Sequence, residues 1–277
     1  MEFARTITIE DLICFAGLTL FACWLLKTSL GRRALADSVP RRNNMPLYTP
    51  FIPLFIWFGA VPMATAIAKA LAGDLHDWQT AFMDNIVFCV WAVITTAVML
   101  FLARTHFARR LKGFGLNIRT IHKDFAAAVV NLLVVWPLII AAIAVTVFLG
   151  EFIRGQEYQM QQHQQLELIT EHARLPLHVL IAFSAVVTGP VLEELMFRGF
   201  IQTTIRSFFK VGNGAWIAIA ISSALFAMMH EHPGHWPALF VLGVCMGYAY
   251  EKSGSLLRPI FIHSLFNATN VIAVLNQ

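Results

Sequence analysis

The sequence has little charge. Asp, Glu, Lys and Arg make up 13% of it and hydrophobic residues 58%, whereas a soluble domain runs at about 25% charged. That shortage excludes an ordinary soluble enzyme. The small basic excess, a formal net charge of +4, calls for no nucleic-acid partner once its placement along the chain is considered. Cysteine is scarce too. Cys14, Cys23, Cys89 and Cys245 all fall in apolar segments without metal-ligand spacing, which argues against a disulfide framework. The chain also lacks a GxSxG elbow, an HExxH helix, any solenoid-length repeat and any low-complexity tract. A serine hydrolase and a standard zincin are therefore unsupported. An acidic start and the absence of a small-x-small site disfavour a cleaved signal peptide.

What the chain has instead is apolar runs. They cover about 12–26 (lengthened by 7–9), 49–71, 85–102, 125–149, 177–209, 215–230, 236–250 and 259–275, against the roughly 20 residues that cross a bilayer. The predicted fold is an all-α polytopic membrane protein of about eight transmembrane helices. Helices 1–4 and their loops occupy 1–176, and helices 5–8 occupy 177–277. Pro53 and Pro62 are expected to kink the second span, and Gly189-Pro190 to bend the fifth. The polar, glutamine-rich segment 150–176 reads as a loop or an interfacial helix.

Charge placement supports this topology. With the N-terminus outside, the loops 27–48, 103–124, 206–214 and 251–258 face the cytoplasm and hold fifteen of the twenty Lys and Arg residues, as the positive-inside rule requires. The expected location is an integral position in a membrane, a bacterial cytoplasmic membrane above all, with the N-terminus non-cytoplasmic.

Against this apolar background a few polar groups stand out. Glu193, Glu194 and Arg198 lie inside the fifth span, where a carboxylate costs roughly 2.5–3.5 kcal/mol on insertion scales and needs a partner. Glu194 and Arg198 are one helical turn apart and can pair. Glu193, about 100° away around the helix, is left as the candidate working group. Phe226 and His230 share a face of the sixth span, and His263 and Asn267 share a face of the eighth. Two carboxylates, two histidines and an asparagine are the inventory of a hydrolytic site. A carboxylate in a low-dielectric site can take a proton from water near neutral pH. Histidine can hold that water, ligate a metal or donate to an oxyanion, and the asparagine amide is a fixed donor.

Glu193-Glu194-x-x-x-Arg198, Phe226-x-x-x-His230 and His263-x-x-x-Asn267 resemble the three ordered motifs of the CPBP intramembrane protease family, which includes the CAAX prenyl endopeptidases. The resemblance covers about 177–277, the presumptive catalytic core. It implies an intramembrane polar cavity open toward the cytoplasm and peptide-bond hydrolysis by an activated water. Carried over by position, Glu193 is the base, His230 helps hold the water, and His263 with Asn267 stabilises the oxyanion. Glu194 and Arg198 support the site. The implied partners are a peptide or lipidated-protein substrate and the lipid bilayer.

Two questions stay open at the level of sequence. Glu193, His230 and His263 can supply three ligands to zinc and leave a position for water, and the same groups can activate water without metal. A non-catalytic protein of the same fold that binds membrane partners, and a proton-coupled transporter, are the alternative functions; the second predicts inverted repeats, which the sequence does not display. Phe226 reads as packing, Ser222 and Ser223 as small residues that let helices approach, and Glu231, His232 and His235 as a solvated turn.

Overall fold

The computed structural model describes residues 8–161, 164–209 and 212–276. Glu2, Arg5, Ile7 and Lys210, all used in the topology argument, lie outside the described residues. Helix is the main regular structure among the described residues, with one isolated bridge between Asn43 and Phe107. Helices α1 (Ile9–Lys27), α2 (Phe51–Ala72), α3 (Asp77–His106), α4 (Ile121–Arg154), α5 (Gln164–Glu171), α6 (Leu175–Phe208), α7 (Gly214–Met228), α8 (Trp236–Ser253) and α9 (Leu257–Leu275) follow in order.

All eight expected apolar segments are helical, and the glutamine-rich stretch contributes the short α5. Among the described residues, five helices, α1, α2, α3, α4 and α6, are long and apolar enough to cross a membrane, and α7 is a shorter apolar helix. The structure therefore carries five candidate spans plus shorter helices. The count of eight spans is not carried with it, because α7 has only 15 residues, α8 ends in Glu251-Lys252-Ser253, and α9 carries Arg258, His263, Asn267 and Asn270.

Helix boundaries follow local chemistry. Thr8 caps α1: its hydroxyl accepts from the Asp11 amide at 3.2 Å and the Asp11 carboxylate accepts from the Thr8 amide at 3.0 Å, a reciprocal box that satisfies two orphan donors. Prolines inside spans leave carbonyls without amide partners, and the helices widen beside them. Ile56–Ala60 is π-helical just before Pro62, and Ser184–Thr188 is π-helical just before Pro190. The irregularity expected at Gly189-Pro190 is thus a change of helical register with the helix continuing through it. Pro137 in α4 leaves the carbonyl of Leu133 unpaired, and α1 crosses there. A Cβ at Gly17 would meet Leu133 O at 2.2 Å, so only glycine fits the crossing.

Helix α4 forms the centre of the bundle, with α1, α8 and α9 packed on it; α7 lies against α8, and α3 lies against α6. One core unites both halves of the chain, from Ala92, Met99, Phe114 and Val135 to Leu192, Phe200, Phe226, Leu242 and Tyr250. At the basic end, the 27–48 loop is tied into it by polar contacts. Glu251 accepts from Arg206 Nε at 3.1 Å and from Ser38, and Arg41 stacks on the Tyr250 ring 3.5 Å from its centroid.

Candidate active site

The polar residues singled out by sequence converge on α6, α7 and α9. The motif helix is unusual: α-helical Gly189–Glu194 is flanked by π-helical Ser184–Thr188 and Leu195–Gln202. Such π-segments concentrate at functional sites because they turn side chains away from the regular 3.6-residue phase.

Glu194 and Arg198 are fully buried, and Arg198 Nη1 donates to Glu194 Oε1 at 2.9 Å. Arg198 Nη2 reaches across to the Gly243 carbonyl on α8 at 3.1 Å. The same Glu194 oxygen accepts from His263 Nδ1 on α9 at 3.1 Å. One Glu194 oxygen is thus shared between an arginine on its own helix and a histidine on α9.

Glu193 has no such partners. Its Oε2 is buried and takes no hydrogen bond from any described residue, and its Oε1 lies over Gly189, where an added Cβ would stand 3.6 Å away. Glu194 Oε2 and Arg198 Nε are likewise buried and without partners. Three orphaned polar atoms within two turns of one helix are costly, at about 1–3 kcal/mol each, and such groups in a native structure call for a water or ligand-binding reason.

Phe226 organises the two histidines. Its ring is edge-on to His230 at 5.0 Å and to His263 at 5.5 Å between centroids, and it packs edge-on against Phe197 at 5.3 Å. The Arg198 guanidinium stands 4.7 Å from its centroid. The tautomers follow from fixed partners. His230 Nδ1 lies 3.0 Å from the Phe226 carbonyl, which only accepts, so Nδ1 carries the proton and neutral Nε2 keeps a lone pair. His263 Nδ1 donates to the Glu194 carboxylate, which fixes the orientation of the ring and leaves Nε2 on its far side. Asn267 Nδ2 donates to the Ala185 carbonyl at 2.8 Å. Ala185 lies in the first π-segment, and this bond uses one of the two amide hydrogens of Asn267.

Among the described residues, no three His, Cys, Asp or Glu side chains gather in a group that could hold a metal ion. Glu193, His230 and His263 are not gathered into such a group among the described residues. The His-Glu-His-Pro-Gly-His stretch is a short 3₁₀ turn at Pro233–His235 with Glu231 exposed, and the His232 and His235 rings lie 6.0 Å apart.

Gln202 escaped the sequence reading. It is fully buried one turn beyond Arg198, donates to the Gly247 carbonyl at 3.1 Å and accepts from Ser222 at 3.3 Å. Arg198 and Gln202 thus bind the carbonyls of Gly243 and Gly247 on α8. The signal was present as a GxxxG pattern at 243–247, which lets backbones approach. A Cβ at Gly243 would meet the Ser223 Cβ at 2.9 Å, consistent with the small-residue role of Ser223.

Comparison with known proteins bears on this arrangement of motifs. Residues 175–269 match the type II CAAX prenyl endopeptidase Rce1-like family. The Rce1-like segment begins with α6 and ends within α9, so it contains every motif residue. Over 131 residues the chain is 31% identical to the membrane-embedded CAAX protease MroQ of Staphylococcus aureus, covering 46% of this chain and 50% of that protein. It is 26% identical to an uncharacterized 24.3 kDa Escherichia coli protein over 46% of this chain and 58% of the other. It is 28% identical to YdiL of Bacillus subtilis, a candidate membrane peptidase, over 35% and 37% of the two chains. The matched stretches thus span about half the length of the first two relatives. No solved structure matches the chain. The Rce1-like segment and the apolar helices together identify an integral membrane protein.

Proposed function

We propose that the chain is an intramembrane endopeptidase in which Glu193 activates water against a peptide bond. The observation that carries the reading is the asymmetry of the two adjacent carboxylates. Glu194 is held by Arg198 and His263, while Glu193 presents a buried oxygen with no partner. The likeness to a family of CAAX prenyl endopeptidases supports the same chemistry.

In this scheme Glu193 takes a proton as the water oxygen bonds to the scissile carbonyl carbon. His230 Nε2, aimed by the bond from its Nδ1 to the Phe226 carbonyl, holds the same water. The oxyanion is met by His263 and by the second amide hydrogen of Asn267. When the C–N bond breaks, the leaving amine takes the proton from Glu193, and the carboxylate is restored. Glu194, itself held by Arg198, keeps His263 aligned throughout. The substrate class is a CAAX-type lipidated peptide or another membrane-associated peptide. The membrane is a bacterial cytoplasmic membrane, with the basic loops on the cytoplasmic side.

The test is cleavage of a prenylated CAAX peptide by purified protein in water enriched in ¹⁸O, with the metal content of the same sample measured beside a His230→Ala/His263→Ala variant. Incorporation of ¹⁸O into the new carboxylate without stoichiometric metal is the expected result. Stoichiometric zinc lost in the variant would replace the metal-free scheme with a zinc one. No cleavage of this or other membrane peptides would favour a partner-binding protein of the same fold.

A further inference from the structure

A second polar feature lies away from the catalytic groups, on the basic end of the bundle. Between the α3–α4 connection and the α8–α9 turn is a cavity of about 230 Å³ lined by Arg109, Lys112, Gly115, Asn117, Thr120, Ser253, Gly254 and Ser255. It is built by backbone contact. Gly115 and Gly254 have φ of +109° and +73°, an added Cβ at Gly115 would stand 2.9 Å from Gly254 O, and the Leu256 amide donates to Gly115 O at 2.9 Å. Its floor is anchored in the core, because Tyr250 donates to the Phe114 carbonyl at 2.9 Å and Phe114 packs on Phe200.

The charge in this cavity is unbalanced. Asp124, the acid beside it, already accepts from Thr120, Ser255 and Arg258. Arg109 and Lys112 are exposed and make no ion pair with any described residue. Beside them the apolar side chains of Ile118, Ile121 and Phe125 are exposed at 82%, 40% and 46%. Cationic side chains and hydroxyls in a concave site next to bare apolar surface describe the boundary of a membrane leaflet, where basic pockets between helices hold lipid headgroups.

We propose that this cavity is a binding site for a phosphate anion, with the headgroup of an anionic phospholipid as its source. Arg109 and Lys112 supply the charge-assisted hydrogen bonds, and the lipid chains lie along Ile118, Ile121 and Phe125. Because Phe114 reaches into the notch at Gly199, where an added Cβ would stand 2.3 Å from its ring, occupancy braces the helix that carries Arg198.

The full chain is purified in neutral detergent and phosphate-free buffer, then titrated with phosphatidylglycerol, phosphatidylcholine or inorganic phosphate. Thermal unfolding and native mass spectrometry report binding. Saturable binding of phosphatidylglycerol with a raised Tm is expected, and none with phosphatidylcholine. Arg109→Gln/Lys112→Gln should weaken it by about tenfold or more, the loss expected for a charged hydrogen-bond pair. Arg32→Gln/Arg33→Gln, which removes equal charge from exposed positions elsewhere on the basic face, should stay within about twofold, as screened charge does. An equal response to inorganic phosphate would keep the site and make the free anion its ligand. Absence of saturable binding to wild type, or equal losses in both double variants, would overturn the proposal.

Discussion

At the scale of single residues, adjacent carboxylates have opposite environments, and this gives them separable phenotypes. Removing one partner of a buried ion pair costs about 3–5 kcal/mol, so Glu194→Gln, which strands Arg198 and releases His263, should lower the denaturation midpoint markedly. Phe226→Ala should cost about 3–5 kcal/mol as a cavity and should also reduce turnover, since its ring packs edge-on against both histidines. Retention of full activity by a folded Phe226→Ala protein would remove Phe226 from the positioning scheme. Sequence spacing alone made the Glu194–Arg198 pair legible, because residues one turn apart share a face. It could not reveal that His263 completes the pair or that Asn267 bonds to Ala185, since both contacts join helices distant in the chain.

At the scale of elements, prolines and glycines decide how the helices meet. Substituting Gly17 by leucine should detach α1 from α4, because the added side chain meets the carbonyl freed by Pro137. The readout is faster proteolysis of the α1 segment in detergent, and an unchanged digest would contradict the crossing described. Gly199→Leu should be more damaging, since it drives Phe114 out of the wall of the motif helix. Apolar run length placed the helices to within a few residues, apart from the start of α3, which lies at Asp77, well before its run. The first of the two π-helical registers beside Glu193 and Glu194, Ser184–Thr188, was legible only as a proline irregularity. The second of them, Leu195–Gln202, contains no proline, and its sequence gave no sign of it. The GxxxG at 243–247 was readable and marks where α8 receives Arg198 and Gln202.

At the scale of the whole molecule, α4 joins the N-terminal helices to the Rce1-like segment through one continuous core. Charge distribution predicts the orientation: a tag at the N-terminus should be protected from protease in inside-out vesicles and a tag in the 103–124 loop cleaved, and the reverse pattern would invert the topology. The number of true spans depends on how the shorter α7, α8 and α9 sit in the bilayer, which hydropathy alone did not determine. The measurement that bears most directly on the account is peptide hydrolysis per folded molecule by Glu193→Gln beside Glu194→Gln. The account predicts that Glu193→Gln keeps the wild-type melting profile and loses about 10²–10⁴-fold in rate, the contribution of a general base, whereas Glu194→Gln loses stability first. A folded Glu193→Gln protein that cleaves at the wild-type rate would contradict it.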